Sequence, residues 1–434
     1  MFNLSRARLF GSRKALADHS ANGALDAKLA SIEARLNRLQ DIEAKLDRMW
    51  LHLDFLRTHS AAYLGDGVAL TYLVDETPIL VNSHDYYGPM NLINGGRYEE
   101  ENVEVLFSFL EDGAVFLDIG ANLGLFSLRI ADRIRRNGRV FAFEPHPILV
   151  KLARHSIDYS GLSGLVTVFN LGLSDTEAAT EFRFEKGHLG GGAIGHSNDA
   201  EKFDNVTAKV KRFDDLFGPD FKVDLVKIDV EGHELAVLRG MRETLRRSPS
   251  VKVMFEKLGV NAGYEDEIES LFHELGFELY GIVGEPILAP LAAGALATFS
   301  GYALASRPGQ IDNLDRRRFS IYPSQLSHQG NPPAGLGEKL IKEGAAGTVL
   351  FHGPYWFLQR ATWELRIHGS ISGQIDMILA ERYGYATQSV RLSSGQLIWR
   401  FANERDLVRF ELVARAAGAG ARVEIDRLEL VRVG

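Results

Sequence analysis

The sequence predicts an α/β chain. A mostly parallel sheet covered on both faces is preceded by a coiled-coil helix and followed by an all-β sandwich domain. Three observations predict this. Short apolar, β-branched runs alternate with helical periods from about residue 61 to 306. Apolar residues from Leu25 to Leu56 recur at steps of four and three. Beyond residue 346, apolar and polar residues alternate over short stretches.

The elements follow in order. Residues 1–21 carry Arg6, Arg8, Arg13 and Lys14 without a continuous apolar run behind them. They read as a flexible lead rather than a signal peptide. Residues 22–58 hold the seam Leu25, Leu29, Ile32, Leu36, Leu39, Ile42, Leu46, Met49, Leu53 and Leu56. One three-residue slip falls between Leu39 and Ile42, and charges such as Glu33, Arg38 and Glu43 lie between seam positions. This pattern predicts an oligomerisation helix, dimeric or trimeric.

Within 61–306, "AVFLDIG", "RVFAFEP", "LVTVFNLGLSD", "DLVKIDVEG" and "VKVMFEK" read as strands. "LGLFSLRIADRIRR", "PILVKLARHSIDYS" and "HELAVLRGMRETLRR" read as the helices between them. "FELYGIV" and "GYALASR" close the sheet as a pair. The glycine-rich "EKGHLGGGAIGHS", between Glu181 and Val210 and flanked by possible strands, reads as a mobile loop over a site. Residues 307–345, with Pro308, Pro323, Pro332 and Pro333, read as a linker. Residues 346–434 form the sandwich.

Composition narrows the chemistry. The 434 residues carry a net charge of −8 and no cysteine. The charge argues against nucleic acid as the main partner. The missing cysteines exclude disulfides, thiolate metal sites and cysteine nucleophiles, and fit a reducing compartment. No run of about 18 uncharged apolar residues predicts a transmembrane helix. A cytoplasmic location is expected, with the basic lead able to touch the inner membrane surface.

The chemistry gathers at strand ends. In "VFLDIGANLGLF" a buried strand stops on Asp118, and Gly120, Asn122 and Gly124 form a turn with few side chains before a helix. Such a turn lets a ligand approach backbone N–H groups. Glu144 ends the next strand, 26 residues on. There a carboxylate can accept both hydroxyls of a ribose. A dinucleotide or S-adenosylmethionine fits both features. "KIDVEGHE" then crowds Lys227, Asp229, Glu231, His233 and Glu234 at the end of a further strand, and Glu256 ends the one after it. Acids and a histidine there can deprotonate a hydroxyl or hold a metal ion. Asp229 is the leading catalytic candidate, with Glu231, His233 and Glu256 beside it. Glu234 reads first as a charge at a helix N-terminus. If a metal is bound, Asp229, Glu231 and Glu256 suit a hard cation such as Mg²⁺.

The stretches "GGRYEEENVEVL", "VFLDIGANLGLFSL", "GRVFAFEPHP", "NLGLSD" and "DLVKIDVEGHELAVLRG" stand in an order that resembles the FkbM family of S-adenosylmethionine-dependent methyltransferases. The resemblance runs from about Gly96 to Lys257. It implies a Rossmann-like class I methyltransferase sheet and O-methylation of sugars or polyketide-type products. It also implies that Asp118, Gly120, Asn122 and Gly124 line the methionine end of the cofactor. Glu144 would hold the ribose, and Ser174 and Asp175 would lie near the adenine. No Asn/Asp-Pro-Pro-aromatic stretch follows "VKID", which favours a hydroxyl acceptor over an amine.

The expectation is an O-methyltransferase acting on a sugar or glycan of a bacterial surface polysaccharide. It would be a homo-oligomer through residues 22–58 and could work beside glycosyltransferases. The rivals are a nicotinamide-dependent oxidoreductase on a related fold and an inactive scaffold. Tyr355, Trp356, Phe357, Trp363 and Trp399 offer either sugar-stacking faces or plain core for the sandwich.

Overall fold

The inner strands of the predicted parallel sheet are buried on both faces, while the edge strand at residues 166–170 leaves Thr167 and Asn170 exposed. We describe a computed structural model of the chain. It covers residues 61–134, 137–257, 259, 263–283, 287–327, 338–381 and 385–433, with Arg35, Arg38, Leu39, Ile42, Lys45 and Met49. The chain divides into two units, residues 1–58 and 59–434. In the first, those six residues are helical and exposed, the seam positions Leu39, Ile42 and Met49 among them. The rest of the expected coiled coil and the whole of the lead lie outside the described residues.

The second unit opens with an antiparallel sheet of β1 (Ala62–Gly65), β2 (Val68–Tyr72) and β3 (Pro78–Asn82). Two helices follow, α1 (Gly88–Gly95) and α2 (Glu100–Phe109). The central sheet then begins with β4 (Val115–Ile119), α3 (Leu125–Arg133), β5 (Arg139–Glu144), α4 (Pro147–Tyr159) and β6 (Val166–Asn170).

An excursion of four strands comes next: β7 (Gly172–Leu173), β8 (Ala178–Glu185), β9 (His188–Ile194) and β10 (Phe203–Lys211). The chain returns through β11 (Leu225–Ile228), α5 (Glu234–Gly240), α6 (Arg242–Arg247), β12 (Lys252–Lys257), α7 (Glu265–Glu274), β13 (Glu278–Val283), β14 (Ile287–Pro290) and β15 (Gly301–Ser306).

The eight-stranded sheet has the order β14-β13-β15-β12-β11-β4-β5-β6. Strands β12, β11, β4, β5 and β6 are parallel, while β15, β13 and β14 join antiparallel. β4 feeds its two faces into different cores. Phe116 enters one, and Leu117 and Ile119 enter the other. That double burial is why the strand reads as an unbroken apolar run. The chain winds outward from β4 in both directions, so the crevice at the carboxyl ends of β4 and β11 is the switch point where such sheets bind ligands.

The glycine-rich segment is not a loop. β8 and β9 pair as a hairpin in a sheet of order β7-β10-β8-β9. Its glycines mark close passages. A Cβ on Gly192 would stand 1.9 Å from the Phe184 ring, and one on Gly190 would stand 2.6 Å from Asn122 Nδ2. Glycines that look like punctuation in a sequence here let a strand cross other side chains.

The remaining strands are β16 (Arg318–Ile321), β17 (Leu340–Gly344), β18 (Val349–Phe351), β19 (Pro354–Leu358), β20 (Thr362–Ser372), β21 (Gln374–Glu381), β22 (Tyr385–Ser393), β23 (Ile398–Ala402), β24 (Leu407–Ala416) and β25 (Ala421–Arg432). They make two five-stranded antiparallel sheets that share one core. β16 and β17 both pair with β25, so the stretch 307–345 is not merely a linker. Their brevity and the nearby prolines hid them. Trp356, Phe357, Trp363 and Trp399 are buried, while Tyr355 is partly exposed. Four of the five candidate stacking rings are therefore core.

Candidate active site

Strand β4 ends on a carboxylate because a helix must be braced there. Asp118 is fully buried. Its Oδ2 accepts hydrogen bonds from the backbone N–H (3.0 Å) and the Oγ (2.7 Å) of Ser127 in the first turn of α3. Lys227 Nζ lies 3.7 Å from its Oδ1. Burial pushes the Asp118 carboxyl up, against the pull of Lys227 and Ser127. It is not on the cavity wall. The resemblance placed it beside the cofactor, and the structure places it beneath the turn.

The turn itself is tied to β5. The N–H groups of Gly120 and Ala121 both donate to the Phe143 carbonyl at 3.0 Å. Gly120 has φ 75°, and a Cβ there would lie 1.7 Å from the Asp229 carbonyl oxygen. Its glycine is required by the neighbouring strand end, whatever else binds. Asn122 is also left-handed, at φ 50°, and its N–H donates to Glu144 Oε2 at 2.9 Å. Glu144 Oε1 accepts the His146 N–H at 2.8 Å. Burial pushes the Glu144 carboxyl up to about 7, although these two N–H donors oppose the shift. Gly124 caps α3 against Ala153 and stands off the cavity wall.

One cleft opens over this turn, with about 1240 Å³ of atom-free space including its mouth. Gly120, Asn122 and Glu144 line it together with Asp229, Glu231, His233 and Glu256. Ser174 and Asp175 do not; Gly172 and Leu173 take that part of the wall. The Ser174 hydroxyl instead meets His233 Nε2 at 2.9 Å.

The acids converge beyond β11 and β12. One carboxylate oxygen from each of Asp229, Glu231 and Glu256 lies within 4.8 Å of the others. Asp229 Oδ2 lies 3.3 Å from Lys227 Nζ and accepts the Tyr302 hydroxyl at 2.8 Å. Burial would push Asp229 up. Lys227 and hydrogen bonds from Tyr302 and Glu256 outweigh it and hold the carboxyl below its usual range. Burial and the Asp229 charge push Glu256 up to about 9. The two carboxyls are thus pushed in opposite directions, Asp229 toward the charged form and Glu256 toward the protonated one. Burial and the Asp229 charge also push Glu231 up to about 7, and Glu231 is left-handed at φ 54°.

His233 is pushed down by burial. Glu234 Oε1 accepts the N–H groups of Gly232 (3.1 Å) and Val230 (3.3 Å). It closes the loop before α5, as its helix-terminus reading expected.

Some wall residues escaped the sequence. Tyr98, Glu99 and Tyr302 line the cleft. Lys227, expected in the acidic cluster, lines it too. Tyr302 left no signal, since its place depends on the register of β15 against β12, where it pairs with Glu256. The β8–β9 hairpin supplies Phe182, Phe184, His188 and Leu189. His188 stacks on Tyr87 with ring centroids 3.7 Å apart.

Comparison with known proteins finds likenesses to methyltransferases. Residues 118–279 match the family described as Methyltransferase FkbM domain. The chain is 29% identical to methyltransferase sdnD of Sordaria araneosa, over 48% of this chain and 91% of that protein. It is 29% identical to hexuronic acid methyltransferase AglP of Haloferax volcanii, over 39% of this chain and 65% of that one. It is 28% identical to AMB antimetabolite synthetase AmbE of Pseudomonas aeruginosa, over 73% of this chain but only 15% of AmbE. Among solved structures, methyltransferase FkbM from Methylobacillus flagellatus shares 14% identity over 47% of each chain, with a TM-score of 0.31.

Proposed function

We propose that the chain is an S-adenosylmethionine-dependent O-methyltransferase acting on a hydroxyl of a sugar or glycan. The observation that carries this reading is the place of Asp229. It is held by Lys227 and Tyr302 near Glu256, in the same cleft as the Gly120–Asn122 turn and Glu144.

The wall fits the cofactor. Glu144 presents a carboxylate at the tip of β5, where ribose hydroxyls are held in related sheets. The turn shows the cleft little but backbone. When bound, S-adenosylmethionine supplies a methyl group already activated by its sulfonium charge. The protein must align the acceptor and take its proton. Asp229 accepts that proton. Lys227, whose Nζ also donates to the Gly120 carbonyl at 2.8 Å, keeps the carboxylate charged and ties it to the turn.

A sugar acceptor is supported by the likeness to AglP, whose name specifies a hexuronic acid. In this reading the chain modifies a bacterial surface polysaccharide and assembles through residues 22–58. It works beside glycosyltransferases at the cytoplasmic face of the inner membrane. Among the described residues no helix is long and apolar enough to cross a membrane. Light scattering of the full chain and of a chain lacking residues 1–58 tests the assembly.

The decisive experiment incubates the chain with methyl-labelled cofactor and extracted polysaccharide. Label should enter the glycan as an alkali-stable ether. Binding of a nicotinamide dinucleotide in place of S-adenosylmethionine, measured by calorimetry, would sink the reading. A second reading has Asp229, Glu231 and Glu256 grip a divalent cation, since their oxygens already converge. A chelator that stops transfer while cofactor still binds would favour it.

A further inference from the structure

Part of the cleft wall is fastened from outside the central sheet. Tyr98 and Glu99 line the cleft, in the short segment between α1 and α2. Glu99 is left-handed at φ 60°, an uncommon conformation for a residue with a side chain. Burial pushes both side chains' pKa values up, Tyr98 to about 12. The next residue back, Arg97, reaches instead into the C-terminal sheets. Its guanidinium pairs with Asp406, in the connection between β23 and β24, and lies 5.1 Å over the Phe357 ring of β19. The other Asp406 oxygen accepts the Arg360 N–H at 2.6 Å, so the carboxylate is itself fixed. A second ion pair joins the same parts of the chain nearby, Arg409 Nε to Glu76 Oε2 at 3.0 Å.

We infer that the C-terminal β module positions the active site, through the Arg97–Asp406 pair, by holding Tyr98 and Glu99 in the acceptor wall. The inference rests on the methyltransferase reading of the cleft. Neither Arg97 nor Asp406 lines the cleft. Both are positioning residues, acting through the backbone of residues 97–99. The segment has other holds. Val74 donates its N–H to the Gly96 carbonyl at 3.1 Å, the Tyr98 ring packs on Gly88, and Glu99 accepts from Asn102 Nδ2 with its carboxylate and from the Val103 N–H with its carbonyl. None of these acts on residue 97 itself. A partly exposed ion pair adds little to global stability, so breaking this one should loosen the wall while the fold persists.

The test compares the full chain with Arg97→Met, Asp406→Asn and Arg97→Lys. Arg97→Met and Asp406→Asn should each lower kcat/KM for the acceptor about tenfold, with cofactor affinity and melting temperature nearly unchanged. Arg97→Lys, which keeps the charge, should recover most of the rate. Amide hydrogen exchange over residues 97–100 should quicken in the two disrupted variants and not in Arg97→Lys. If the wild type transfers methyl and the disrupted variants match it in rate, the inference is wrong. If the wild type transfers no methyl, the enzymatic reading has failed instead. Exchange then judges the tether alone, and unchanged protection would overturn it.

Discussion

Tyr302 reaches Asp229 from an antiparallel strand: its hydroxyl donates to Asp229 Oδ2 at 2.8 Å, and its Cα pairs with that of Glu256. A strand outside the parallel set thus sets the direction in which the ionised carboxylate points. Asp229→Asn should lower kcat by at least about 100-fold, the lower end for a positioned base, with cofactor affinity nearly unchanged. Tyr302→Phe should lower it roughly tenfold, the loss of one hydrogen bond to a charged group. Single-turnover kinetics on the true acceptor measures both. Full activity of Asp229→Asn would exclude the site.

Glu144 gives a pH signature. Its carboxyl is pushed from an ordinary 4.5 to about 7 by burial. Below that pH it is protonated and offers less to a ribose. Cofactor affinity should fall as pH drops through about 7, and Glu144→Gln should flatten the profile. The linked stability effect has a definite sign. Between about pH 4.5 and 7 the folded chain holds a proton that the unfolded chain has released. Glu144 therefore costs stability progressively as pH rises through that window, and the Gln variant should not. Glu144→Ala should weaken cofactor binding by about 1.5–3 kcal/mol. Calorimetric titrations across this range, with melting curves in parallel, check both effects.

Positions that interrupt an apolar strand with charge were legible in the sequence. Glu144, Asp229 and Glu256 end runs that are otherwise buried on both faces, and the structure brings all three into one cleft. Asp118 shows the limit of that signal. A buried strand-end acid reads the same whether it meets a ligand or braces a helix, and here it braces α3. Tyr98, Glu99 and Tyr302 were not legible, because a turn conformation and a strand register place them. The β8–β9 hairpin was misread because its glycines answer to Phe184 across the hairpin and to Asn122, a contact remote in sequence.

Gly120 should tolerate no side chain. The sequence alone suggests that Gly120→Val blocks the cofactor and spares the fold. With a Cβ only 1.7 Å from the Asp229 carbonyl oxygen, even Gly120→Ala must push β4 and β11 apart at their ends. The left-handed φ adds strain of about 1–2 kcal/mol. The Ala variant should lose more than about 2 kcal/mol of stability along with cofactor binding, as read by denaturant melts. A variant as stable as wild type that merely fails to bind would show that the turn can shift without cost.

The hairpin that roofs the cleft hangs on Asp85. This buried carboxylate accepts the Leu189 N–H at 2.9 Å with one oxygen and the Tyr87 N–H at 3.0 Å with the other. One side chain thereby joins β9 to the segment carrying Tyr87, whose ring stacks on His188. Asp85→Ala leaves the buried Leu189 N–H without its acceptor, a local cost of about 1–3 kcal/mol. That suffices to loosen the hairpin where it meets the segment, although the Tyr86 N–H to the Gly187 carbonyl at 3.1 Å and the Tyr87–His188 stack remain. The variant should keep its overall fold by circular dichroism. It should be cut faster by protease within residues 178–211 and show a raised KM for the acceptor. Asp85→Asn, which keeps one acceptor oxygen, should fall between. Unchanged protease resistance and unchanged KM in Asp85→Ala would show that the roof is held elsewhere.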